Sequence, residues 1–98
     1  MARFGVYRLR TGGLVLDIQA NALEQLNTRV VIPLEPISRF PKPIARLNPM
    51  VDLFGDRYVL NTHFIGTVSD RDCVRAIADL SALRDQITAA LDLLFQGF

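Results

Sequence analysis

Residues 28–34 read Thr-Arg-Val-Val-Ile-Pro-Leu, a run rich in β-branched side chains that closes on a proline and a leucine. Val, Ile and Thr pack well on a pleated sheet and lose rotamer freedom in a helix. Proline lacks a backbone N–H and is confined to the ends and edges of strands. The stretch therefore predicts a central β-strand that ends at Pro33.

A hairpin is predicted immediately before this strand. Residues 3–10 and 14–19 flank a Gly-Gly pair, and both glycines accept the positive φ angles of a tight hairpin turn. In the second run, Leu14, Leu16 and Ile18 alternate with other residues, which predicts a strand that is buried on one face. The polar interval 21–27 then predicts a turn.

A second hairpin is predicted after a proline-rich stretch. Residues 33–49 contain all five prolines of the chain, which predicts irregular backbone with at most a short helix. Residues 50–53 and 57–61 flank a turn at Gly55, and residues 64–68 predict one more strand.

The spacing of apolar residues changes near residue 80 from the period of a strand to that of a helix. Apolar side chains recur at spacings of three and four, which predicts an amphipathic helix. Ser81 is a suitable N-cap, and Asp85 would lie near the positive end of the helix dipole. Strands followed by a single helix predict an α+β fold with an antiparallel sheet. The apolar stripe consists of Leu80, Leu83, Ile87, Leu91 and Leu94.

The composition limits the classes of function. The chain has 98 residues, of which 50% are hydrophobic, so we expect residues 1–98 to form a single domain. The net charge of +1 and the lack of a basic run disfavour direct nucleic-acid binding as the main activity. No segment resembles a signal peptide or a membrane span, so we expect a cytoplasmic protein that does not bind membranes.

The sequence offers no recognisable catalytic or metal site. His63 and Cys73 are the only histidine and cysteine, and their spacing does not imply contact or an orienting third group. The acidic residues of 52–56 and 70–72 are typical of turns, where Asp hydrogen-bonds locally. We expect no catalytic residues, no metal and no cofactor, and this profile favours binding over catalysis.

The last five residues, 94–98, are Leu-Phe-Gln-Gly-Phe and continue the helix with apolar side chains. Two phenylalanines in such a position suggest a contact surface. They could equally dock on the core of the domain, because apolar side chains are mostly buried. Gly97 can adopt positive φ and turn Phe98 away from the face that Leu94 buries.

The chain resembles the CcdB family of toxins from bacterial toxin–antitoxin modules. The resemblance begins with Asp17-Ile18-Gln19, a short polar loop, and the Arg-Val-Val-Ile-Pro-Leu strand at 29–34. It continues through Phe4-Gly5-Val6-Tyr7 as the first strand and Ala78-Asp79-Leu80-Ser81 as the helix entry. It ends with a terminal glycine and one apolar residue, so it spans the whole chain in order and in length.

The resemblance implies an SH3-like, barrel-type toxin fold with an antiparallel sheet, a small accessory sheet and one C-terminal helix. Family members are homodimers without catalysis of their own. They bind the A subunit of DNA gyrase and trap the DNA-cleaved complex, and a cognate CcdA-like antitoxin neutralises them. By position, the gyrase-binding residues would be Asp92, Phe95, Gln96, Gly97 and Phe98, together with the loop residues Ala20, Asn21, Ala22 and Leu23.

The sequence departs from the family pattern at Gln96, where the best-known pattern has tryptophan. Tryptophan is the side chain most often found as an interface anchor. Two alternatives to a gyrase poison stay open, and the departure at Gln96 motivates the first of them. One is a non-toxic homologue that still binds its antitoxin, and the other is an endoribonuclease toxin of the related fold, which would need a basic groove and an acid–base set.

Overall fold

The computed structural model describes residues 1–40 and 42–97. Within these ranges the chain forms seven β-strands and one α-helix, which confirms the α+β prediction. The helix α1 spans Arg84–Gln96. The strands are β1 (Gly5–Leu9), β2 (Leu14–Asp17), β3 (Thr28–Pro36), β4 (Met50–Leu53), β5 (Asp56–Leu60), β6 (Gly66–Ser69) and β7 (Cys73–Asp79).

All strand pairs that the structure describes are antiparallel, in the order β4-β5-β3-β2-β1-β7. β3 is central, as the sequence predicts, because β2 pairs along one edge and both β6 and β5 pair along the other. The expected accessory sheet corresponds to the β4–β5 hairpin. It joins the main sheet through pairing of β5 with the last residues of β3.

The prediction that β3 ends at Pro33 is wrong, because the strand continues to Pro36. Pro33 lies opposite Val15 of β2, and its carbonyl accepts the N–H of Asn61 on the other edge. A residue in a strand directs its N–H and C=O to the same edge. The missing N–H therefore falls where β3 changes partner from β6 to β5, and the β2 ladder loses no hydrogen bond.

β7 is a strand that the sequence pattern did not predict. It pairs with β1 at the edge of the sheet, and its register shifts at two places along β1. Its residues show no regular alternation of buried and exposed positions. Alanine is also depleted in strands, so Ala76 and Ala78 carry little strand signal.

Ser81 does not cap the helix, contrary to the sequence prediction. Residues 81–83 form a short 3₁₀ turn, and α1 begins after Leu83 without a side-chain cap. The Ser81 N–H instead donates to Oδ1 of Asp79 at 2.7 Å. Asp85 lies in the first turn of α1, as predicted.

The sheet buries side chains on both faces. On the first face, Leu16, Ile32 and Leu60 pack in one cluster with Ile87 of α1. On the second face, a smaller cluster contains Tyr7, Val15 and Val31. β2 is therefore buried throughout, and the prediction of a strand buried on one face only is wrong.

Candidate functional site

A buried polar network holds the end of β2 against the start of β3. Nε and Nη2 of Arg29 donate to Oδ2 of Asp17 at 2.9 and 2.7 Å, and the two side chains are 1% and 0% exposed. The other carboxylate oxygen of Asp17 accepts the N–H of Gln19. Nη1 of Arg29 is buried and makes no hydrogen bond to any residue that the structure describes.

Gln19 extends this network to the loop that follows β2. Its Oε1 accepts the N–H of Val30, and its Nε2 donates to the carbonyl of Leu23. Asn21 also contributes, because its Oδ1 accepts the N–H of Arg3. Asp17, Gln19 and Arg29, which carry part of the family resemblance, thus have a structural role. Their hydrogen bonds fix the backbone of the loop.

The predicted loop residues are exposed on this fixed backbone. Residues Asn21–Leu23 form one 3₁₀ turn, and Leu23 donates its N–H to the carbonyl of Ala20. Ala20, Asn21, Ala22 and Leu23 all face solvent, and Leu23 is 48% exposed. A rigid turn with exposed side chains is suited to contact with a partner.

The predicted residues at the end of α1 are exposed as well. Phe95 is 68% exposed, so docking on the core is ruled out for this side chain within one chain. Asp92 and Gln96 also face solvent. Gly97 adopts φ +81° and donates its N–H to the carbonyl of Leu93, which ends the helix as predicted. Phe98 lies outside the described residues.

One chain does not bring these two groups together. Ala20 and Asn21 line a small cleft with Ser81 and Arg84, so the loop lies beside the start of α1. Phe95 and Gln96 lie at the other end of this 13-residue helix, which is about 20 Å long. Linear sequence gives no sign of this separation, because it depends on the direction in which α1 crosses the sheet.

No hydrogen bond joins His63 to Cys73 among the residues that the structure describes. Nδ1 of His63 lies 3.3 Å from Nδ2 of Asn48, and His63 also contacts the ring of Phe64 with centroids 4.5 Å apart. Burial raises the pKa of the half-buried Cys73 thiol, and the nearby carboxylates of Asp17 and Asp72 raise it further. A raised pKa reduces the thiolate fraction, which is the nucleophilic form.

Two of the surface carboxylates, Asp52 and Asp72, contact arginine side chains. Asp52 accepts a hydrogen bond from Nε of Arg57 at 3.1 Å, and Asp72 lies 3.6 Å from Arg10. Residues 1–40 and 42–97 contain no group of three or more His, Cys, Asp or Glu side chains that could hold a metal ion. No helix in these ranges is both long and apolar enough to cross a membrane.

Sequence reasoning missed a groove on the second face of the sheet. Arg8, Arg39, Tyr58 and Phe64 line it, together with residues of β2, β3 and β6. These residues come from well-separated segments, so no local pattern marks them. Only the pairing of the strands brings them together.

A family model described as CcdB protein matches residues 3–97 of the chain. The chain belongs to the CcdB family. This match confirms the resemblance that the strand motif and the helix entry suggest. No curated protein matches the chain.

Solved structures show the same fold. An endoribonuclease from Mycobacterial species superimposes with a TM-score of 0.79 at 18% identity, covering 96% of this chain and 89% of the other. An endoribonuclease in complex with its cognate antitoxin, also from Mycobacterial species, gives a TM-score of 0.79 at 18% identity, with coverages of 96% and 93%. At this level of identity the similarity shows a shared fold.

Proposed function

We propose that this CcdB-family chain is the toxin of a toxin–antitoxin module, with residues 1–98 acting as one toxin domain in the cytoplasm. It binds the A subunit of DNA gyrase, traps the DNA-cleaved complex and is neutralised by a cognate antitoxin. The observation that carries the proposal is Phe95, which is 68% exposed at the end of α1. A large exposed aromatic side chain on a rigid helix is a typical interface anchor.

The same proposal makes the protein an inhibitor that acts by binding rather than by catalysis. In the described part of the chain, Asp52 and Asp72 form surface ion pairs and His63 contacts Asn48 and Phe64. Asp17 is fully engaged in the buried network with Arg29 and Gln19. None of these groups is poised as a general acid or base for a bound substrate.

We also propose that the active form is a homodimer. The loop at 20–23 and the end of α1 lie at opposite ends of the helix, about 20 Å apart along its axis. In a two-fold dimer, the loop of one protomer can approach the helix end of its partner. Light scattering is expected to give twice the chain mass of 11.0 kDa.

The test is inhibition of gyrase supercoiling by the purified protein, compared with a Phe95→Ala variant. We expect inhibition by the unaltered protein and a loss of about tenfold or more in potency for the variant, because an anchor side chain contributes over ~1.4 kcal/mol. Phe54→Ala is the matched control, since Phe54 is also 68% exposed but lies in the β4–β5 turn.

Two results would favour the alternatives. Absence of inhibition and of toxicity on induced expression would support a non-toxic homologue that retains antitoxin binding. Cleavage of RNA by the purified protein would support an endoribonuclease, the activity named for the structural neighbours. Equal potency of the Phe95→Ala variant would remove Phe95 from the gyrase contact.

A further inference from the structure

The small cleft beside the start of α1 is basic. We call it the Phe4 cleft, and its lining residues are Arg3, Phe4, Ala20, Asn21, Ser81 and Arg84. It has a volume of about 320 Å³. Two of the described lining residues are arginines and none is Asp or Glu, although the whole chain has a net charge of only +1. The Phe4 cleft therefore concentrates positive charge at one place on the surface.

The ring of Phe4 contacts both arginines of the cleft. The guanidinium carbon of Arg3 lies 4.9 Å from the centroid of this ring, and that of Arg84 lies 5.7 Å from it. Both distances are within the range of a cation–π contact. A guanidinium group that stacks on a ring keeps its N–H donors around its own edge. Both arginines are thus held beside the cleft and can still donate to a ligand.

The backbone of Phe4 fixes the position of its ring. The N–H of Phe4 donates to the carbonyl of Asp17 at 2.6 Å, and its carbonyl accepts the N–H of Leu80 at 2.7 Å. Phe4 adopts φ +69°, a left-handed conformation that is rare for a bulky side chain. Strained residues of this kind cluster at ligand sites. The fold therefore maintains an unfavourable backbone angle at the residue that carries both arginines.

The charges of these arginines are not compensated within the described part of the chain. Neither Arg3 nor Arg84 forms an ion pair there, whereas three other exposed arginines do. Asp79 accepts a hydrogen bond from Ser81, and Asp85 follows Arg84 directly on α1, where adjacent side chains do not face each other. Two like charges held against one ring repel each other, and a bound anion relieves that repulsion.

Asn21 adds a neutral donor to the cleft. Its Oδ1 accepts the N–H of Arg3 at 2.9 Å, which orients the side-chain amide. Its Nδ2 group makes no hydrogen bond to a residue that the structure describes. The cleft therefore offers an anion two guanidinium groups and one amide.

We propose that the Phe4 cleft binds a phosphate group, with Arg3 and Arg84 as charged donors and Asn21 as a neutral donor. One guanidinium group satisfies a planar carboxylate with two parallel hydrogen bonds. A phosphate group has three acceptor oxygens and close to two negative charges, so it suits several separate donors. The volume of the cleft is near the lower end of the range for ligand sites, which fits a free phosphate ion or a small phosphate ester. This inference goes beyond the proposed function and does not depend on gyrase binding.

The test is a titration of the isotope-labelled protein with inorganic phosphate at constant ionic strength, followed by amide NMR. We expect the largest shifts at the amides of Arg3, Phe4, Asn21 and Arg84. The double variant R3Q/R84Q should lower the affinity for phosphate by about tenfold or more, because it removes two charge-assisted contacts. The amide spectrum also shows whether each variant is folded, and Arg84→Gln alone repeats the test if the double variant is not.

The control is R71Q/R75Q, which removes the same amount of charge from two exposed arginines outside the cleft. It should bind phosphate like the unaltered protein. Absence of shifts at the four amides, full affinity of the folded R3Q/R84Q variant, or an equal loss with R71Q/R75Q would overturn the proposal. Acetate that binds as tightly as phosphate would also overturn it, because the cleft would then recognise carboxylates equally well.

Two further titrations distinguish the sources of phosphate, one with adenosine monophosphate and one with adenosine. Tighter binding of adenosine monophosphate than of inorganic phosphate, without binding of adenosine, would support the proposal with a phosphate ester as the ligand. Equal or weaker binding of adenosine monophosphate would support it with the free ion as the ligand. Binding of adenosine as tight as that of its monophosphate would overturn the proposal, since the phosphate would then contribute nothing.

Discussion

The polar network around Asp17 and the end of α1 both belong to the CcdB family pattern, yet they differ completely in environment. Asp17 and Arg29 are 0% and 1% exposed, whereas Phe95 is 68% exposed. A buried charge pair fixes backbone geometry but offers nothing to a partner. An exposed aromatic side chain adds little to backbone geometry but offers apolar surface to a partner. Burial thus distinguishes residues that fix the fold from residues that are exposed to a partner.

The loop at 20–23 combines a backbone held by the buried network with side chains that are exposed like those at the end of α1. Its backbone is held through Gln19, which bonds both Val30 and Leu23. Its own side chains nevertheless face solvent. Damage to the buried network should therefore affect partner binding indirectly, through the loop, while damage at the end of α1 should affect it directly.

The largest effect is expected from Arg29→Met. The variant leaves the carboxylate of Asp17 buried without its cation, and removing one partner of a buried ion pair costs about 3–5 kcal/mol. We expect a large drop in the free energy of unfolding, measured by urea denaturation. Asp17→Asn combined with Arg29→Met should recover part of the loss, because no unpaired charge then remains buried.

A loss below about 1 kcal/mol for Arg29→Met would contradict this expectation, since that is the range of an exposed ion pair. It would mean that Asp17 gains compensating hydrogen bonds or solvent in the variant. The buried network and the exposed helix end would then differ in burial but not in their contribution to the free energy of unfolding.

The local elements of the fold follow from the sequence, but the long-range relations do not. The hairpin glycines, the β-branched run of β3 and the period of α1 are patterns within a few residues. The continuation of β3 through Pro33 depends on a change of neighbouring strand, which no local pattern records. β7 pairs with a strand far away in sequence, and its alanines carry little strand preference.

The same distinction applies to the candidate site. The apolar character of residues 94–98 suggested a contact surface, and the exposure of Phe95 agrees with that interpretation. The separation of Ala20 from Phe95 by the length of α1 could not be predicted, because it depends on tertiary packing. The groove at Arg8 and Phe64 was missed for the same reason.

An intermediate effect is expected from Gln96→Trp, which places the family tryptophan at the exposed end of α1. A desolvated aromatic anchor is worth ~2 kcal/mol or more, so gyrase inhibition should strengthen by about thirtyfold. Stability should change little, because Gln96 is exposed at the last position of the helix. A supercoiling assay and urea denaturation of the same preparation measure both quantities.

The exposed end of α1 should tolerate a large side chain that the buried network could not accommodate. Unchanged or weaker inhibition would show that the contact is organised around Phe95 or around another partner. The gyrase contact that the family resemblance implies would then not apply to this chain.

The smallest effect is expected from Asp79→Asn, at the junction between β7 and α1. Hydrogen bonds from Ser81, through its hydroxyl and then its backbone N–H, hold the pKa of Asp79 below its usual value of 3.8. A carboxylate with a lowered pKa stabilises the folded state above its unfolded pKa, and this contribution is lost as the pH falls through the folded pKa. We therefore expect a slightly lower Tm for the variant than for the unaltered protein at neutral pH, and a Tm difference that narrows in acid.

The control is Asp56→Asn, an exposed change in the β4–β5 hairpin. Its Tm should equal that of the unaltered protein at both pH values. An identical Tm difference for Asp79→Asn at neutral and acidic pH would show that the charge of Asp79 makes no contribution, and that the junction depends on hydrogen-bond geometry that asparagine fails to reproduce.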